Sequence, residues 1–150
     1  MAIQQATLNK LLQQAQEKVD EAAKQLAQHI GQRQASQDKL KMLQSYRDEY
    51  QQRLDNSSRQ GVAPHELLNF REFINKLELA LTQQENEVAY WEKSVQASQQ
   101  MWLAEQRKLK SFDVLGQRQH ELAQQKQDKL LQKQNDEFSM NQYFRKQSHE

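Results

Sequence analysis

Asn56-Ser57-Ser58-Arg59-Gln60-Gly61-Val62-Ala63-Pro64 is the only stretch of this chain that gathers turn formers, a glycine able to take positive φ and the single proline. A continuous helix is not expected to cross it. Pro64 lacks a backbone donor but needs none in the first turn of a new helix, and Glu66 places a negative charge near that helix's N-terminus. The spacing of apolar residues on either side predicts one helix over about 3–57, a turn over about 58–64 and a second helix over about 65–147.

Upstream of the turn, apolar and small residues recur alternately four and three apart: Leu8, Leu12, Ala15, Val19, Ala22, Leu26, then Leu40, Leu43, Tyr50 and Leu54. This is a heptad seam. His29, Arg33 and Ser36 interrupt it with polar side chains, so the seam is expected to be loosest there. Downstream the spacing resumes through Leu67, Phe70, Ile74, Leu77, Leu81, Gln84, Val88, Trp91, Val95, Trp102, Leu109 and Phe112. Beyond Phe112 the pattern weakens, with Leu115, Leu122 and Leu131 off the line.

Two amphipathic helices joined by so short a connection are expected to fold back on each other. The predicted fold is all-α, a long antiparallel coiled-coil hairpin forming a single domain. Two alignments fit. One pairs Tyr50 with Leu67, Leu43 with Ile74, Leu26 with Trp91 and Ala15 with Trp102, and it sets Arg33 against Gln84; it is favoured because two polar groups then meet. A shift of one heptad pairs Leu54 with Phe70 and Leu12 with Phe112, but sets Arg33 against Trp91.

The helices cannot match end to end, since about 55 residues face about 80 at roughly 1.5 Å rise each. Some 30 residues of the second helix, on the order of eight turns, are left without an intramolecular partner. That overhang keeps Leu115, Leu122, Leu130, Leu131, Phe138, Met140, Tyr143 and Phe144, side chains that a merely solvated helix does not need. It reads either as a partner-binding segment or as a frayed tail. Near the turn, Phe73, Ala80 and Leu68 widen the apolar surface sideways from the seam, either to cover the hairpin end or to dock a partner.

Composition bounds the chemistry. The 150 residues are 27% charged and 36% apolar, with 29 glutamines, no cysteine and a net charge of +1. A mean hydropathy of -1.11 resembles a disordered segment, but Gln, Glu, Lys, Arg, Leu and Ala all favour helix. Without cysteine there is no disulfide framework and no thiolate metal site. The opening residues lack a secretory n-region and h-region, and no run is long and apolar enough to span a membrane, so the cytoplasm is compatible and any membrane association is expected to be indirect or peripheral.

Nothing in the sequence points to catalysis. His29, His65, His120 and His149 form no metal-ligand spacing and read as seam, first-turn or surface residues. The acid pairs Asp48-Glu49 and Asp136-Glu137 have no cavity in a two-helix rod to raise a pKa, and no phosphate loop or nucleophile motif occurs. No cofactor is expected. Arg107, Lys108 and Lys110 cluster, and Lys126, Lys129 and Lys133 recur. Glu105, Asp113, Glu121 and Asp128 interrupt the field, so no specific nucleic acid is expected.

Two segments carry more specific information. Lys41-Met42-Leu43-Gln44-Ser45-Tyr46-Arg47-Asp48-Glu49-Tyr50 and Asn69-Phe70-Arg71-Glu72-Phe73-Ile74-Asn75-Lys76-Leu77 resemble the FliJ family of bacterial flagellar export proteins. The arrangement of a first helix, a turn with Gly61 and Pro64, and a longer second helix with Trp91 and Trp102 is similar to that family along the whole chain. The resemblance implies a non-enzymatic protein at the cytoplasmic side of the flagellar base. Implied partners are the hexameric export ATPase, the cytoplasmic domain of the membrane export gate and flagellar export chaperones. It also implies a gate-contacting face, which falls here on Phe73, Leu77, Ala80 and Gln84, with Gln84 standing where the family can carry His. The overhang, with Leu122, Leu130, Phe138 and Phe144, is then expected to engage the ATPase ring. The alternative is a structural tether that self-associates through its long second helix.

Overall fold

The computed structural model describes residues 3–148, among which there are two helices and no strand: α1, Gln5–Gln60, and α2, Pro64–Ser148. The fold is an all-α helical hairpin, as the seam spacing predicts. His149, expected at the surface, lies outside the described residues.

α1 runs to Gln60, through the residues expected to begin the turn. Serine costs a helix only a few tenths of a kcal/mol relative to its neighbours, so Ser57 and Ser58 do not break it. Gly61 does. Its φ is 76°, and the Val62 N–H reaches back across it to the Ser57 carbonyl at 3.2 Å, closing the helix end around one left-handed residue. Reversal then needs only Gly61, Val62 and Ala63. The Ala63 carbonyl accepts from the N–H groups of Glu66 (3.1 Å) and Leu67 (3.3 Å), with Pro64 at the first helical position.

The packing divides into two compact units. One spans Lys18–Glu105 and contains the turn. Its buried apolar residues are Val19, Ala22, Ile74, Leu77, Leu81, Val88 and Val95, while Leu26, Leu40, Leu43, Tyr50, Leu67, Phe70, Trp91 and Trp102 are half-buried. The polar interruption of the seam is not loose. Gln84, 4% exposed, donates from Nε2 to the Ser36 carbonyl (2.9 Å) and to Ser36 Oγ (3.0 Å). His29 Nδ1 shares a hydrogen bond with the buried Ser98 hydroxyl, and its ring lies 5.8 Å from that of Trp91. Cross-helix hydrogen bonds occupy the place of missing apolar burial.

These contacts correct the favoured alignment. Gln84 meets Ser36 rather than Arg33, and His29 touches Trp91 and Ser98, the residues bracketing Val95. Tyr50 packs on Phe73, next to Ile74, rather than on Leu67. The helices thus lie towards the heptad-shifted alignment. The physical reason is the Gln84 amide: the Ser36 side chain adds a hydroxyl acceptor for Nε2 beside the backbone carbonyl, whereas the Arg33 side chain has donors only.

The second unit joins α1 as far as Glu17 to α2 from Gln106 onward. Leu8, 1% exposed, packs over Gly116, where an added Cβ would stand 3.1 Å from Leu8 Cδ2. Ala15 is buried, and Leu12 and Leu109 are half-buried. The Gln119 carboxamide, oriented to satisfy both its ends, donates to the Ile3 carbonyl (3.2 Å) and accepts from the Ile3 N–H (2.9 Å). Past this point α1 has no residues left to offer. From Glu121 to Ser148 every residue of α2 is helical and exposed.

Candidate protein-interaction site

α2 restarts at Pro64, which brings Glu66, Asn69, Phe70 and Phe73 to one face at three- and four-residue spacing. Tyr50 of α1 completes an open hollow with them. The Tyr50 ring stands 4.4 Å from Phe73 and 6.5 Å from Phe70, tilted against both, and the Arg53 guanidinium carbon lies 5.2 Å from the Tyr50 ring centroid. Arg53 is itself held by Glu49 at 2.9 Å. An aromatic floor with a carboxylate and an amide at its rim suits an apolar side chain of a protein partner.

The four positions of the implied gate face do not share one exposure. Phe73 is 41% exposed and Ala80 half-buried, both open to a partner. Leu77 is 8% exposed and Gln84 is engaged by Ser36, so both side chains face α1. Leu77 and Gln84 set the helix pairing beneath the face that Phe73 presents.

The end of α2 is a second surface. Leu122, Leu130, Leu131, Phe138, Met140, Tyr143 and Phe144 are all more than half exposed. Tyr143 and Phe144 meet edge to face at 6.2 Å, and Gln147 donates to the Tyr143 hydroxyl at 2.9 Å. A monomer rarely leaves so many large apolar groups on one unpaired helix. Among the described residues no three His, Asp or Glu stand close enough to hold a metal, and no helix is long and apolar enough to cross a membrane.

The sequence of this chain has known relatives. Residues 4–148 match the profile of the family described as Flagellar FliJ protein. The chain belongs to the FliJ family. The Flagellar FliJ protein of Escherichia coli (strain K12) is 30% identical over 141 residues, which are 94% of this chain and 94% of that one. The Flagellar FliJ protein of Salmonella typhi is 29% identical over 143 residues, 95% of this chain and 97% of the other. The FliJ-type features quoted from the sequence, Tyr50 and the segment from Asn69 to Leu77, are the ones that meet at the aromatic hollow. Sequence spacing assigned Tyr50 inward, to the seam, and passed over its second task as one wall of that hollow. Glu66 reads in the sequence only as a charge at the start of the second helix and Asn69 only as part of the family-like segment. Neither signals a place at the rim of a hollow, because one polar residue per turn is what any helix surface shows.

Proposed function

We propose that this FliJ-family chain is a non-enzymatic component of the flagellar export apparatus that couples the hexameric export ATPase ring to the cytoplasmic domain of the membrane export gate. It works at the cytoplasmic face of the flagellar base and also engages export chaperones. The observation carrying this reading is the unpaired end of α2, helical and exposed from Glu121 to Ser148 while keeping seven large apolar side chains. Leu122, Leu130, Phe138 and Phe144 are the ring contacts. Many modest contacts around a ring, rather than one deep anchor, suit a partner with repeated binding positions.

The gate is met by the face around Phe73 and Ala80, with Leu77 and Gln84 holding that face in place from within the seam. An apolar anchor from the gate enters the hollow over Phe70, Phe73 and Tyr50. Truncation after His120 tests the ring assignment, because it removes only residues that α1 does not cover. The shortened chain keeps its helicity and its thermal transition but loses binding to the purified ATPase hexamer and stimulation of its turnover. Retained stimulation overturns the assignment. Light scattering distinguishes the self-associating tether, which forms a dimer that depends on the same residues.

A further inference from the structure

α2 carries another face that neither the aromatic hollow nor the terminal stretch uses. Arg107, Lys110, Ser111, Val114, Leu115 and Arg118 recur at three- and four-residue spacing and, with Phe112, line one open hollow. Its floor is apolar, made of the half-buried Phe112, Val114 and Leu115. Its rim is cationic. Arg107, Lys110 and Arg118 are exposed, and none of them forms an ion pair among the described residues.

In the sequence, acids break up this run of cations; in the folded chain two of them do not line it. Asp113 and Glu121 line a different hollow, with Leu8, Leu12 and His120. α1 lies on the side of α2 marked by Gly116, which Leu8 covers, and by Gln117 and His120, which share a hollow with Leu8 and Leu12, while Arg107, Lys110 and Arg118 stay exposed. The Ser111 hydroxyl is turned inward to the Lys108 carbonyl at 2.7 Å, which leaves the three cations as the polar groups of the rim.

We propose that this face docks an acidic amphipathic helix of another protein. Its carboxylates pair with Arg107, Lys110 and Arg118, and an aliphatic or aromatic side chain seats over Val114 and Leu115. Charge complementarity selects the occupant. Arginine pairs carboxylates through two parallel N–H donors, and a Glu/Leu helix repeats its acids and apolar groups at the same three- and four-residue spacing as this face. A nucleic acid is a poorer fit: it uses the three cations but leaves the apolar floor against water. The proposal stands apart from the ring and gate assignments, since it uses none of their residues.

The test is fluorescence anisotropy of the full chain with two synthetic probes, a labelled Glu/Leu amphipathic helix and a Lys/Leu helix of the same pattern. The acidic probe binds and the basic one does not, and binding weakens as ionic strength rises. Arg107→Glu, Lys110→Glu and Arg118→Glu together lower the affinity about tenfold or more, while circular dichroism and the melting temperature stay unchanged. Lys110→Glu alone gives a partial loss should the triple variant fail to fold. Met101→Ser, at an exposed apolar position outside this face, leaves binding of the acidic probe unchanged. Equal binding of both probes, indifference to charge reversal, or binding only to anionic vesicles or duplex DNA overturns the proposal.

Discussion

At the residue scale, Gln84 is the side chain whose surroundings contribute most to fixing the alignment. A primary amide buried between two helices costs free energy unless its N–H donors find partners, and Ser36 supplies Gln84 Nε2 with two acceptors within 3.0 Å. Gln84→Ala removes both hydrogen bonds and leaves a void, and is expected to destabilise the chain by about 2 kcal/mol in urea unfolding. Ser36→Ala removes the hydroxyl but leaves the carbonyl acceptor, so a double-mutant cycle gives a coupling of only about 1 kcal/mol. A coupling near zero would mean that the two residues do not meet. Phe73 behaves differently because it is 41% exposed and rests on Tyr50. Phe73→Ala costs about 1 kcal/mol of stability, mostly the aromatic contact, yet lowers affinity for the cytoplasmic domain of the export gate by a larger factor. Titration of the purified gate domain checks this, and unchanged affinity removes Phe73 from the interface. Gln84→Ala reaches the gate only indirectly, so its effect on binding follows its effect on melting.

At the element scale, the glycines make the argument quantitative. Gly61 holds φ at 76° with open space around a prospective Cβ, so Gly61→Ala meets no clash and its cost is backbone alone, about 1–2 kcal/mol. Gly31 lies within α1, also with open space, and Gly31→Ala is expected to stabilise by about 0.5–1 kcal/mol. Gly116→Ala gains the same helix propensity but must push Leu8, so it falls short of Gly31→Ala in a side-by-side thermal melt. Equal gains from the two would contradict the close packing of Leu8. Both helices and their antiparallel pairing were legible in the sequence because a helical apolar spacing stands on either side of one short connection that holds Gly61 and Pro64. Their alignment was less so. Large and small residues matched nearly as well under either alignment, and the choice fell to a bond between Gln84 and Ser36, two side chains whose types say nothing about each other. The end of α1 was misplaced because Ser57 and Ser58 read as turn formers, whereas the left-handed geometry could be met only at Gly61. Phe73 stood out as an apolar residue off the seam, but the wall that Tyr50 adds beside it depends on tertiary packing.

At the scale of the whole molecule, the mismatch between 56 residues of α1 and 85 of α2 is the feature from which function follows. Stability comes from the paired stretches, with Leu8 and Ala15 buried in one unit and Ile74, Leu81 and Val88 in the other. The stretch after His120 contributes exposed apolar groups and little burial. Its backbone hydrogen bonds are therefore the first to open in solution, and a partner that covers it should protect them. Hydrogen exchange along α2, measured with the chain alone and with the purified export ATPase hexamer, tests this directly. Amides of 121–148 exchange much faster than those of 74–98 in the free chain and become protected when the hexamer is present. Protection of that stretch already in the free chain, or exchange there that the hexamer leaves unchanged, would contradict the account.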